Sequence, residues 1–161
     1  MAISAAATLV FVLIVAYLYL AAPIGNARLQ PNSPDWYFHT VKINITDNGV
    51  STAYGAYLAA NLTQQEQGYM NQTGIGDCNG IKPCIGMLFV FQNSSSQCFW
   101  MKNTEIPLKQ VWINNGAITR IYNATPYSTD VICGYGNWVL ETGINQSIPA
   151  GSRITFANGT S

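Results

Sequence analysis

Two Asn-Gly dipeptides, Asn48-Gly49 and Asn115-Gly116, each interrupt a stretch in which apolar and polar residues alternate. Asn and Gly adopt positive φ more readily than other residues, and a tight two-residue hairpin turn requires it at both central positions. The flanks fit that geometry: WYFHTVKINI (36–45) and VSTAYGAYLA (50–59) surround the first pair, LKQVWI (108–113) and AITRIYN (117–123) the second. All four are rich in β-branched and aromatic residues, so the chain is committed to two β-hairpins. IGMLFVF (85–91) is too apolar to expose a face and reads as a core strand, while NWVLET (137–142) and SRITFA (152–157) supply two shorter ones. QNSSSQ (92–97) is expected to turn the chain between the core strand and the stretch that follows. A single helix start is visible at Thr63-Gln64-Gln65-Glu66, which has the capping-box spacing, and Gly68 stops it after one or two turns. The expected fold is therefore all-β, a small sandwich or barrel-like domain with one short helix.

Residues 2–22 contain no charge. At about 1.5 Å per residue they are long enough to cross a hydrocarbon core of about 30 Å. A cleaved signal usually has a shorter apolar region behind a basic start, and no Lys or Arg precedes Arg28. We read residues 1–22 as a retained transmembrane helix, residues 23–34 with their three prolines as a linker, and residues 35–161 as the folded domain. Arg28 and Lys42 follow the span, which by the positive-inside rule weakly favours a cytoplasmic domain. Sequons outweigh that bias. Seven Asn-x-Ser/Thr acceptors begin at Asn44, Asn61, Asn71, Asn93, Asn123, Asn145 and Asn158, against about two expected by chance from this Asn and Ser/Thr content. The predicted location is the cell membrane, single-pass, with an N-glycosylated domain on the extracytoplasmic side, as in an archaeal surface protein.

Charged residues are only 9% of the chain and net charge is +0, against roughly a quarter charged in typical soluble domains. That excludes a basic field for nucleic acid. Glycans in place of charges also suit an acidic exterior, where carboxylates are neutralised. The four cysteines, Cys78, Cys84, Cys98 and Cys133, form an even set in a chain read as exported, so disulfides are expected. Three pairings are open; Cys78 with Cys84 across NGIKP leaves Cys98 with Cys133. No metal site is expected, because the spacing lacks the paired C-x2-C knuckles of zinc folds. Met70, Met87 and Met101 could hold Cu(I) but read better as gap fillers in a core. His39 is the single histidine and lies near the linker, and no nucleophile-elbow, zincin or phosphate-loop motif occurs. No cofactor is expected.

The order of motifs resembles one family. EQGYM (66–70), GMLFVF (86–91), FWMKNTEIPL (99–108), NNGAITRIYNA (114–124) and WVLET (138–142) are similar to the domain of unknown function 192, from about residue 41 to 156. The resemblance implies a compact β domain, often exported or anchored, with no settled activity. Recurring family positions fall on Glu66, Gly68, Met70, Gly86, Met87, Phe89, Trp100, Met101, Lys102, Asn103, Thr104, Pro107, Leu108, Leu140 and Glu141. The chain departs from the pattern at Tyr69, Gln72 and Lys109, the last standing where the family commonly carries an acid.

In CFWMKNTEIPL, Phe99 and Met101 should face one side of a strand and Trp100 and Lys102 the other. Asn103 and Thr104 can close the strand end on backbone groups before Pro107. The same geometry lets Trp100 form a platform with Lys102, Asn103, Thr104 and Glu141 around a small polar ligand. Glu66 is assigned to the helix cap, and a Glu141–Lys102 pair is the test for a site, with a structural ion pair as the alternative reading of the same contact. The reading is a binding or scaffolding module whose partner is an envelope glycan, a peptide or a membrane protein. The alternative is an envelope enzyme acting through Lys102, Asn103 and Glu141.

Overall fold

A computed structural model describes residues 38–157. Both Asn-Gly turns form as the sequence demands. Asn48 (φ 47°) and Gly49 (φ 80°) join β1 (His39–Asp47) to β2 (Val50–Ala59), with Asp47 opposite Val50. Asn115 (φ 48°) and Gly116 (φ 82°) join β4 (Leu108–Asn114) to β5 (Ala117–Ala124). Between the hairpins lies β3 (Cys84–Phe99), and after them come β6 (Ile132–Gly143) and β7 (Arg153–Phe156). The strands run in the order β1-β2-β3-β6-β4-β5-β7, and β7 pairs back onto β1 to close a barrel. Closure decides between the two expected architectures, although β5 meets β7 at a single pair, Ala117 opposite Arg153. β2 and β3 are parallel, the register that their long connection through residues 60–83 allows.

Alternation along the strands builds two apolar layers. Ile43 and Ile45, Ala56, Leu88, Val111 and Ile113, Leu140 and Ile154 fill the inside of the barrel. Their neighbours point outward into a second cluster, including Tyr57, Met87, Phe89, Leu108, Trp112 and Val139, which is covered by Phe38, Tyr69, Cys78 and Met101. Met87 and Met101 are thus core packing, and the Cu(I) reading has no geometric support at either. Trp112 is fully buried and its indole N–H donates to Gln97 O at 2.8 Å. It can lie flat on β6 because Gly134 has no side chain: a Cβ there would stand 2.4 Å from Trp112 Cγ.

Two local expectations are corrected. QNSSSQ does not turn the chain; it is the bulged middle of β3, where the partner strand advances only from Trp138 to Gly136 while β3 goes from Val90 to Ser95. The bulge absorbs the surplus polar residues and lets pairing resume as far as Phe99. The helix α1 (Leu62–Gln67) is capped two residues earlier than Thr63. Asn61 Oδ1 accepts from Gln64 N at 2.9 Å, and Gln64 Oε1 accepts from Ala60 N at 3.1 Å. Asn is at least as good an N-cap as Thr, and Asn61 with Gln64 satisfies the amides of Gln64 and Ala60, leaving Glu66 unused by the cap.

The linker and the apolar segment 2–22 lie outside the described residues. Among the described residues no helix is long and apolar enough to cross a membrane.

Both disulfides join the expected cysteines: Cys78 to Cys84 and Cys98 to Cys133. The second ties directly opposed positions of β3 and β6 and closes the longer loop, 35 residues against 6. Replacing Cys98 and Cys133 together by Ser is expected to cost about 2–4 kcal/mol in urea denaturation, and replacing Cys78 and Cys84 less. Equal losses would show that loop entropy is not what these bridges supply.

Candidate functional site

Pairing register places a polar row on the outer face of the barrel. Tyr57 of β2 stands opposite Met87 of β3, Met87 opposite Glu141 of β6, Glu141 opposite Gln110 of β4, and Gln110 opposite Tyr122 of β5. Directly opposed residues point the same way, so these five side chains share one face. Glu141 and Gln110 are only 4% and 1% exposed, roofed by Met101 and the turn that follows it. Gln110 Nε2 donates to Glu141 Oε1 at 3.0 Å and also faces Met101 Sδ at 3.9 Å. Burial pushes the Glu141 carboxyl up to about 7, because a charge there would lose its water; the Gln110 hydrogen bond works in the opposite direction. Among the described residues nothing donates to Glu141 Oε2, and the buried Gln110 Oε1 has no partner.

The roof is the polar step that ends the aromatic strand. Thr104 N–H donates to Met101 O at 3.1 Å, closing a turn in which Asn103 takes φ 56°. Asn is one of the residues that tolerate this left-handed position. Asn103 O accepts from Asn71 N at 2.8 Å, Thr104 O from Tyr127 N at 3.0 Å, and Ser128 O from Met101 N at 2.9 Å. The turn therefore clamps the loop after α1 and the segment before β6 together. Thr104 is buried and its hydroxyl donates to Lys102 O at 3.4 Å.

An open cleft of about 230 Å³ runs over this region, lined by Gln65, Glu66, Phe91, Gln97, Cys98, Phe99 and Trp100. A narrower space of about 40 Å³ shares Gln65, Glu66, Phe99 and Trp100 with it, and adds Tyr69, Thr104 and Glu141. Trp100 is 48% exposed at the lip. Of the five residues singled out from the sequence, Trp100, Thr104 and Glu141 come together here. Lys102 and Asn103 line neither space, since both are exposed on the outer side of the turn. The Glu141–Lys102 pair is not formed: Glu141 lies under the turn and bonds Gln110, whereas the Lys102 ammonium stacks over the Trp100 ring, 5.1 Å from its centroid.

Glu66 and Gln110 are the residues that sequence reading missed. The signal for Glu66 was present: Asn61 and Gln64 make a second capping box that overlaps the Thr63–Glu66 spacing. Gln110 carries no such mark, because its role follows from register alone.

A larger groove of about 470 Å³ lies elsewhere, walled by Ile75, Ile85, Ile106, Pro107 and Ile144 with Thr142, Asn145 and Gln146. None of the side chains lining it titrates. Lys109, where the family resemblance leads one to look for an acid, donates to Gln146 O on its rim.

These features define a class: a closed seven-stranded β-barrel that carries a buried carboxyl at the foot of an aromatic cleft. The chain belongs to the DUF192 family, described as uncharacterized ACR, whose model matches residues 43–155. Two solved structures are similar. A Sinorhizobium meliloti 1021 protein, provisionally described as a transcription regulator, is 28% identical with a TM-score of 0.65, covering 74% of this chain and 95% of its own. A Novosphingobium aromaticivorans DSM 12444 protein of unknown function is 26% identical with a TM-score of 0.62, covering 72% of this chain and 84% of its own. No curated protein matches the chain.

Proposed function

We propose that this chain is a membrane-anchored, N-glycosylated extracytoplasmic module that binds a small polar ligand of the cell envelope, a glycan, in the Trp100 cleft. The observation that carries the reading is the half-exposed indole at the lip of a cleft whose inner end is a buried carboxyl. An aromatic face with a few convergent polar groups is the usual means of gripping a sugar ring. Export is supported by two disulfides and by the sequons. Asn61, Asn71, Asn93, Asn123 and Asn145 are exposed and Asn44 is half-buried, while Asn158 lies outside the described residues. Asn61 can carry a sugar and still cap α1, because the cap uses Oδ1 and a glycan occupies the amide nitrogen. Anchoring rests on the uncharged segment 2–22.

The description of the Sinorhizobium protein does not extend to this chain: seven basic residues are balanced by seven acidic ones, which gives phosphate backbones no field to follow.

Enzymatic action is the second reading, favoured by one observation. Glu66 and Glu141 line the same space, and burial sets Glu141 to exchange a proton near neutrality. The test compares binding of envelope polysaccharide fragments by the full chain and by Trp100→Ala. A loss of more than tenfold is expected with no sugar released; unchanged binding would remove the cleft from consideration, and release of reducing ends would favour the enzyme.

A further inference from the structure

The cleft has a charge character that its proposed use does not require. Every ionisable group lining its two spaces is acidic apart from Tyr69: Glu66 from α1 and Glu141 from β6, with no Lys, Arg or His. Glu66 is exposed and engages no hydrogen bond or ion pair among the described residues. Glu141 is 4% exposed, and its Oε2, which accepts nothing, belongs to the residue at the foot of the inner space. That oxygen is not sealed from solvent, so a donor entering the inner space can reach it. Phe89, Phe91, Phe99 and Trp100 supply aromatic walls beside the neutral Gln65, Gln67, Gln97 and Thr104. Trp100 already holds a cation on its ring, the chain's own Lys102 ammonium. Carboxylates combined with aromatic faces are the chemistry that takes up ammonium ions.

Size divides the work between the two spaces. The inner one, about 40 Å³, has room for a small group, the space of a few waters at about 10–15 Å³ each. An ammonium fits; a pyranose ring does not. The outer one, about 230 Å³, is walled by Trp100, Phe99 and Phe91 and suits a single ring.

Resting on the reading of the cleft as a glycan site, we infer that its ligand is an amino sugar, with the primary ammonium seated between Glu66 and Glu141 and the ring against Trp100. The exposed Glu66 carboxylate disfavours an anionic sugar. Lys102 then acts against the ligand, because the ammonium it holds over the Trp100 ring repels the incoming charge. This reverses the ligand-holding role that the sequence suggests for it.

Seating a cation beside Glu141 favours the charged carboxylate, so binding near pH 6.5 should expel a proton to solvent. The other charged groups around that point are Glu66, Lys102 over the indole, and Asp130, which lines a small space with Trp100, Met101 and Gln110.

The experiment is calorimetric titration of the full chain in detergent with glucosamine, N-acetylglucosamine, glucose and glycinamide, in two buffers of different ionisation enthalpy. Glucosamine should bind at least tenfold more tightly than N-acetylglucosamine or glucose. Glu66→Gln and Glu141→Gln should each weaken it at least fivefold, and only Glu141→Gln should abolish proton release. Lys102→Ala should tighten it about two- to fivefold. Glu66 sits on an exposed helix, so its variant reports on binding even if Glu141→Gln folds poorly. Equal binding of glucosamine and N-acetylglucosamine, lost in Trp100→Ala, would overturn the ammonium assignment and leave the glycan cleft standing. Glycinamide binding as tightly as glucosamine would overturn the sugar. Binding untouched by Trp100→Ala, or none by any probe, would overturn both the inference and the cleft.

Discussion

Gly86→Ala is expected to prevent folding, or to cost more than about 4 kcal/mol, the range reserved for changes that a structure cannot absorb. A Cβ at Gly86 would stand 1.9 Å from Glu141 O and 3.0 Å from both Glu141 C and Thr142 Cα. Those atoms are backbone, so no rotamer change relieves the contact. Gly86 also has φ 152°, a conformation L residues rarely take. It lies where β3 shifts register against β2 and pairs with Thr142 of β6. To admit a methyl group, β3 and β6 must separate at the residue that carries the buried carboxyl, and the cleft floor goes with them. Gly151→Ala is the control, since nothing lies within 4 Å of its Cβ position and its φ is ordinary. Expression yield and urea denaturation of the two variants settle the point. A Gly86→Ala protein within about 1 kcal/mol of the parent would mean that the strands do not approach this closely.

The second large effect is on the pH dependence of stability. The Glu141 carboxyl is raised from 4.5 to about 7 in the folded chain, with burial as the main cause. Below about pH 4.5 the group is protonated both folded and unfolded, and it contributes no pH dependence. Between about 4.5 and 7 the unfolded chain releases the proton while the folded chain keeps it, so stability falls as pH rises. Above 7 the full penalty is present, about 3 kcal/mol for a shift of this size. Glu141→Gln removes the titration. Unfolding free energies from urea titration at pH 4.5 and pH 8 should therefore differ by about 3 kcal/mol less in the variant than in the parent. Comparing the two slopes is preferable to comparing stabilities, because the new amide can donate to Gln110 Oε1, which has no partner now. Identical slopes would place the carboxyl in contact with bulk water.

How far the sequence led can be followed residue by residue. Asn48-Gly49 and Asn115-Gly116 define both hairpins, since positive φ at two successive residues is a local requirement that few residue types meet. The pairing of Cys78 with Cys84 was favoured for a similar reason: the two are too near in sequence, with a Gly and a Pro between them, to be far apart in space. Where two local patterns overlapped, the reading failed. Asn61-x-x-Gln64 and Thr63-x-x-Glu66 both spell a helix cap, and the choice between them decides whether Glu66 is bound to backbone or free for the cleft. QNSSSQ has the composition of a turn, yet strand pairing on both sides of a bulge carries it through as strand.

Local chemistry by itself determined the turns, the alternation that gives the strands their two faces and the polar step of Lys102, Asn103 and Thr104, while the choice among three cysteine pairings waited on the fold. Closure of the barrel, the row from Tyr57 to Tyr122, the Glu141–Gln110 bond and the meeting of Glu66 with Glu141 belong to tertiary structure. The physical reason is register. Gln110 and Glu141 are 31 residues apart in the chain, and only the pairing of β4 with β6 makes them neighbours. Shifting that pairing by one residue would set Glu141 on the opposite face of its partner's pattern and dissolve the site without changing a single local preference.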